Sequence, residues 1–197
     1  MRRRFASLPL ILLGVACTGG SDTADTTGGA TMQADTAAER SDTSAFGDGS
    51  LQVPVRDANG RELGQLTVSE SGGGINLIGT LRGLPPGQHA IHLHMVGQCT
   101  PPFETAGGHW NPTNMQHGFD NPQGPHHGDM RNIEVAADSS ASVNVTTPGG
   151  MMRGDANMLL DADGASIIVH AGPDDYRTDP SGNSGARIAC GQIVAAN

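Results

Sequence analysis

The sequence predicts an all-β domain, a Greek-key β-sandwich or flattened barrel of about eight antiparallel strands with two long functional loops. Three observations lead to this fold class. Glycine and proline supply 29 and 12 of the 197 residues, which favours many turns. Short apolar runs rich in Val, Ile and Leu recur between these turns. Residues 97–129 and 172–186 lack apolar periodicity, and irregular stretches of that length are usually functional.

The first 49 residues are predicted to contain a secretory signal peptide followed by a disordered tether. Three arginines precede the apolar run 5–16, which is too short to span a bilayer and is typical of a secretory signal peptide over 1–16. Residues 13–17 (LGVAC) resemble a bacterial lipobox, with Gly14 where Leu is common. Lipidation of Cys17 is therefore expected, with an ordinary secretory signal as the alternative. The acidic, Gly- and Thr-rich stretch 17–49 is expected to be a disordered tether, and the chain to be exported to the periplasm or cell envelope.

The strands of the folded domain, residues 50–197, follow from local patterns. Asn59-Gly60 and the glycines at 72–74 predict tight turns between alternating apolar runs. A hairpin is expected around residues 138–140, where two apolar runs flank polar turn residues. The resulting strand predictions are residues 51–56, 62–69, 75–81, 88–95, 132–137, 141–147, 167–170 and 188–195.

Charge excludes one class of partner. The formal net charge is −9, and the chain contains no lysine. A nucleic-acid partner needs a basic face, which this composition does not supply.

Histidine is concentrated where chemistry is expected. All eight histidines follow residue 88. Side chains alternate along a strand, so His92 and His94 share one face and can bind one metal together. His89 points to the other face and is predicted to support the site through hydrogen bonds.

Two metal sites are suggested by the ligand types. Three imidazoles and a carboxylate in the first loop suit a closed, structural, tetrahedral zinc site: His109, His117, His126 and Asp129. A second set, His92, His94 and His170, contains only imidazoles and suits copper.

The chain resembles the copper–zinc superoxide dismutases, bacterial extracytoplasmic members in particular. The resemblance covers residues 51–197 and depends on five motifs in order: GQHAIHLH (87–94), GHWNP (108–112), HG (117–118), HHGD (126–129) and GNSGARIACG (182–191). It implies dismutation of superoxide to dioxygen and hydrogen peroxide.

The resemblance also implies roles for individual residues. Copper is expected on His92, His94, His109 and His170, and zinc on His109, His117, His126 and Asp129. His109 would bridge the two metals and deliver a proton. Asp174 would link ligands of the two metals through hydrogen bonds, and Arg187 would guide the superoxide anion.

The cysteines divide between two expected uses. With Cys17 assigned to a lipid, Cys99 and Cys190 remain as a pair in an oxidising compartment, and the resemblance implies the same disulfide. Two unpaired thiols are the alternative. A bridge to Cys190 would also help to fix Arg187, three residues earlier.

Two other functions use the same residues. One is copper or zinc buffering at the envelope, with dismutation incidental; the other is a structural sandwich with a zinc clip, which would not load copper.

The sequence leaves the choice between homodimer and monomer open. His127 is interpreted as an exposed loop residue, and the scattered methionines as packing or surface residues.

Overall fold

The computed structural model describes residues 44–45, 49–154 and 158–195. The predicted signal peptide, Cys17 and the predicted tether lie outside the described residues, except for Ser44, Ala45 and Gly49. Within the described part of the chain, no helix has both the length and the apolar character needed to cross a membrane.

The described residues form ten strands and one short 3-10 helix, Glu104–Ala106. The strands are β1 (Ser44–Ala45), β2 (Leu51–Asp57), β3 (Glu62–Ser71), β4 (Gly74–Arg82), β5 (Gly87–His89), β6 (Ile91–His94), β7 (Ile133–Val135), β8 (Ser140–Thr146), β9 (Ala165–His170) and β10 (Arg187–Ile193).

Eight of these strands make one curled antiparallel sheet, in which seven follow the order β6-β9-β10-β2-β3-β4-β8 and β1 pairs with β2. Strand β3 pairs along one edge of β2, while β1 and β10 share the other edge at its two ends. Strands β5 and β7 form a small second sheet. The predicted all-β class is confirmed.

The sheet encloses the main hydrophobic core. Strand β9 is buried along its whole length, because both of its faces are covered. Ile167 and Val169 belong to the main core, whereas Ile168 packs in a smaller cluster with Phe103 and Cys190. His170, at the end of this strand, is therefore positioned by a rigid element.

The predicted strand at 88–95 is wrong as a single element. The chain leaves the small sheet after β5 and enters the large sheet at β6. Between them, the N–H of Ala90 donates to the Gly172 carbonyl and its carbonyl accepts from His170 N–H. Residues 89–94 are all buried. The break between β5 and β6 is therefore not marked by any change in burial along the chain.

The predicted hairpin at 132–147 is correct only in its turn. The Ser139 N–H donates to the Ala136 carbonyl, and Ala136 N–H donates to the Ser140 carbonyl. The two strands then diverge, because β7 pairs with β5 and β8 pairs with β4.

The two long loops, 95–132 and 171–186, contact each other. Arg131 lies over the rings of Phe119 and Tyr176, at 4.3 and 4.9 Å from their centroids. The hydroxyl of Tyr176 accepts from the Asn132 N–H at 2.9 Å. These contacts hold the two loops together where the predicted metal-ligating side chains lie.

Candidate metal centre

Four buried histidines from three parts of the chain converge at one end of the sheet. His92 and His94 come from β6, and His170 ends the neighbouring strand β9. His109 is brought back from the first loop by an isolated bridge to His94. Each ring offers one nitrogen, and these nitrogens lie within 4.8 Å of one another.

One nitrogen of each ring has no hydrogen-bond partner among the described residues: His92 Nδ1, His94 Nε2, His109 Nε2 and His170 Nε2. The opposite nitrogen is held in every case. His94 Nδ1 donates to the Gly107 carbonyl at 3.0 Å, and His170 Nδ1 donates to the Gly185 carbonyl at 3.2 Å. A carbonyl oxygen only accepts, so the Nε2 atoms of these two rings keep bare lone pairs.

Burial also keeps these imidazoles neutral. Desolvation lowers the pKa of His92 to about 3 and that of His170 to about 4. Four buried nitrogen lone pairs without partners are costly unless something satisfies them. A metal ion shared by the four rings would do so, and an all-imidazole set suits copper.

A second set surrounds the carboxylate of Asp129, which is fully buried. Its Oδ1 lies 2.8 Å from His109 Nδ1, 2.9 Å from His117 Nδ1 and 3.3 Å from His126 Nδ1. Its Oδ2 accepts the backbone N–H groups of Gly118 and His126. Although burial opposes ionisation, the three histidine contacts hold the pKa of Asp129 far below its usual range. Three imidazoles and one carboxylate are the donor set that a closed zinc site uses.

Two side chains connect the sets. His109 belongs to both, with Nδ1 at Asp129 and Nε2 in the four-histidine set. Asp174 lies outside both, and its Oδ2 and Oδ1 accept from His92 Nε2 and His117 Nε2, each at 2.9 Å. Burial lowers the pKa of His117, yet the hydrogen bonds to Asp129 and Asp174 raise it to about 9.

The residues that position Asp174 were not predicted from the sequence. The side chain of Asn132 makes two hydrogen bonds to the backbone of Asp174: Asn132 Nδ2 donates to the Asp174 carbonyl, and Asn132 Oδ1 accepts from the Asp174 N–H. Gly182 must lack a side chain, because a Cβ there would lie 1.8 Å from Asp174 Oδ1. Asn132 and the carbonyls of Gly107 and Gly185 carry no type or spacing signal, whereas Gly182 stands in a motif already noted.

His89 lies outside both sets. Its Nδ1 and Nε2 lie 2.7 Å from the His170 carbonyl and 2.8 Å from the Pro85 carbonyl. His89 therefore supports the backbone of His170, which belongs to the four-histidine set. His127 also lies outside both sets, but the expectation that it is exposed is wrong: it is half-buried because its ring packs on Trp110, with ring centroids 5.3 Å apart.

A cavity of about 560 Å³ opens onto the four-histidine set. Its walls include His94, His109, His170 and Arg187. The guanidinium of Arg187 donates to the carbonyls of Phe103 and Gly107, both at 2.7 Å. The Gly107 carbonyl also accepts from His94, so one peptide fixes both the arginine and a histidine of the set.

The Cys99–Cys190 disulfide ties the first loop to β10. Cys190, Phe103, Ala106 and Ile168 form a small core cluster against which Cys99 packs. The loop that supplies both carbonyl anchors of Arg187 is thus fastened to the strand that carries Arg187.

Comparisons with a family model, with known protein sequences and with solved structures agree with one another. The model of the family "Copper/zinc superoxide dismutase (SODC)" matches residues 63–193. A superoxide dismutase [Cu-Zn] of Caulobacter vibrioides is 43% identical over 148 residues, covering 73% of this chain and 85% of the relative. A superoxide dismutase-like protein of Bacillus subtilis is 41% identical over 160 residues, covering 79% and 80%. Among solved structures, Cu/Zn superoxide dismutase from Brucella abortus aligns with a TM-score of 0.60 at 32% identity, covering 73% of this chain and 99% of that one.

Proposed function

Because the chain belongs to the copper/zinc superoxide dismutase family, we propose that it converts two superoxide anions and two protons into dioxygen and hydrogen peroxide. Copper would be held by His92, His94, His109 and His170, and zinc by His109, His117, His126 and Asp129. The observation that supports this most is the set of four buried imidazole nitrogens without hydrogen-bond partners among the described residues, facing one site.

The protein's own groups have separable tasks in this proposal. Copper, when bound, supplies the one-electron chemistry that oxidises one superoxide and reduces the next. His109, held at Nδ1 by the second set, can take up a proton at Nε2 and pass it to the reduced oxygen species. Asp174 orients His92 and His117 from outside, and such outer contacts fix ring orientation.

Arg187 is proposed to draw the anion into the cavity. The cavity wall also contains Glu104 and Asp179, and Glu104 Oε2 lies 3.9 Å from Arg187 Nη2. The chain is acidic overall, with a net charge of −9. A fixed positive charge at the cavity is therefore needed to attract a small anion.

Replacing Arg187 with alanine should lower kcat/KM for superoxide by about tenfold or more, the lower range of electrostatic steering effects. The variant should still bind both metals, because Arg187 belongs to neither metal set. Steering is screened by salt, so the remaining rate should depend less on ionic strength. Stopped-flow measurement of superoxide decay at several salt concentrations checks this.

Arg177→Ala is the matched control for that experiment. Arg177 lies in the second loop, which leads into β10, is exposed, and faces Asp120 at 3.7 Å outside the cavity. It should keep the parental rate and salt response. If Arg187→Ala also kept both, the steering role would be wrong.

A role in metal buffering is the other candidate. Both functions need the same ligands, but storage does not require a cavity with a fixed arginine. The Arg187 anchors at Phe103 and Gly107 therefore favour turnover. Equal superoxide turnover by copper-loaded and copper-free protein would instead favour buffering.

We further propose export and lipid anchoring through Cys17, with the domain outside the cytoplasm. The Cys99–Cys190 disulfide supports an oxidising compartment. Cys17→Ser should move the full-length chain from the membrane to the soluble fraction and abolish its labelling by a fatty-acid probe. Membrane retention of Cys17→Ser at parental levels would exclude the anchor.

A further inference from the structure

Two exposed methionines lie on the wall of the cavity that leads to the four-histidine set. Among the described residues, the exposed large apolar side chains are Ile78, Met95, Met115 and Met151. Met95 and Met115, at 45% and 42% exposure, both line the cavity, together with His94, His109 and His170. Scattered exposed apolar residues need no explanation, but a pair of thioethers at the entrance to an imidazole site does.

The backbones of both methionines are held in place. The Met95 N–H donates to the Gly108 carbonyl at 3.0 Å, directly after His94. A Cβ on Gly107 would lie 3.0 Å from Met95 Cγ and 3.6 Å from its Sδ, so the thioether lies against a glycine that leaves it room.

Met115 is fixed on both sides of its backbone by a single residue. Asn111 Oδ1 accepts the Met115 N–H at 3.0 Å, and Asn111 Nδ2 donates to the Met115 carbonyl at 2.8 Å. These bonds hold the residue at the cavity while its side chain stays exposed. Asn111 itself lines the same cavity.

We propose that Met95 and Met115 form an entry site for Cu(I), from which the ion passes to the four-histidine set. Thioethers are soft ligands that select Cu(I), whereas imidazoles bind copper in either oxidation state. The transfer is a ligand exchange in which bonds to sulfur break as bonds to nitrogen form. It needs no electron, and the bare Nε2 atoms of His94 and His170 release no proton. This inference rests on the proposed copper-binding role of the four histidines.

The test is the rate of copper loading, measured without any activity assay. Zinc-loaded, copper-free full-length protein is mixed with the coloured Cu(I)–bicinchoninate complex, and loss of its absorbance is followed. The double variant Met95→Leu/Met115→Leu keeps the apolar volume and removes both sulfurs. It should take up Cu(I) about tenfold more slowly, the factor that corresponds to about 1.4 kcal/mol of barrier, and reach the parental copper content.

Two controls separate chemistry from shape. Met151→Leu removes a thioether that is 45% exposed but lies outside the cavity, and it should load at the parental rate. Loading with Cu(II), which does not favour thioethers, should be equally fast in the parent and the double variant.

Three outcomes decide the proposal. An unchanged Cu(I) rate in the double variant overturns the entry site, and so does equal slowing with Cu(I) and Cu(II), which would show an effect of cavity shape. A parent chain that takes up no copper overturns the proposed function as well, so the two failures are distinguishable.

Discussion

His170→Ala is expected to lose copper and, with it, superoxide turnover. His170 Nε2 is the buried nitrogen that this ring contributes to the four-histidine set, where it has no partner among the described residues, and its ring is oriented from the other side by the Gly185 carbonyl. Loss of an outer partner of a metal ligand already costs about 10–100-fold in metal affinity, so loss of a ligand should cost at least as much. His92→Ala should behave in the same way.

Copper content by elemental analysis and superoxide decay should be measured on the same samples. His127→Ala is the matched control, because its ring packs on Trp110 outside both sets. It should keep parental copper, zinc and turnover. The enzymatic interpretation fails if His170→Ala and His92→Ala turn over superoxide as fast as His127→Ala.

Removing the Cys99–Cys190 disulfide is expected to be the most destabilising change. The bridge closes a loop with a sequence separation of 91 residues. For a loop of that length, the chain-entropy model gives about 4–5 kcal/mol of lost unfolding free energy. Cys99→Ala/Cys190→Ala should lower the midpoint of guanidinium unfolding accordingly, measured on metal-free protein so that metal binding does not contribute.

Reductant provides the control for this experiment. It should lower the unfolding midpoint of the parent toward that of the variant and leave the variant unchanged. Equal midpoints for the parent and the variant without reductant would show that the bridge does not stabilise the domain.

The same variant tests the coupling between the disulfide and Arg187. The first loop carries the Phe103 and Gly107 carbonyls that hold the guanidinium. Turnover per bound copper should therefore fall, together with its salt dependence. If only stability fell, Arg187 would not depend on the bridge for its position.

The sequence was informative wherever structure is local. The glycines at 72 and 73 have φ of 60° and 85°, as a two-residue hairpin turn between β3 and β4 requires. From Leu66 onward, the alternation of buried and less buried residues in β3 likewise follows from one buried face. Pairing across the sheet is not local, so the break at Ala90 and the separation of β7 from β8 left no signal in the pattern.

Some features of the metal centre could be predicted from residue type and spacing, and others could not. Residue type and spacing separated the Asp129 set from the imidazole set, because carboxylate and histidine chemistry differ. That His109 serves both sets came only from family resemblance, since no spacing shows that one ring faces two ways. The peptide carbonyls that orient His94 and His170 could not be predicted, because every residue has one.

Superoxide dismutation by this chain is tested most simply by measuring superoxide decay with the full-length chain in matched metal states. We expect uptake of one copper and one zinc per chain, rapid superoxide decay with both metals bound, and only the spontaneous rate of decay with zinc alone. Restoring copper should restore the rate. If the chain loaded with both metals decayed superoxide no faster than the zinc-only form, the four histidines would form a storage site and the proposed function would be wrong.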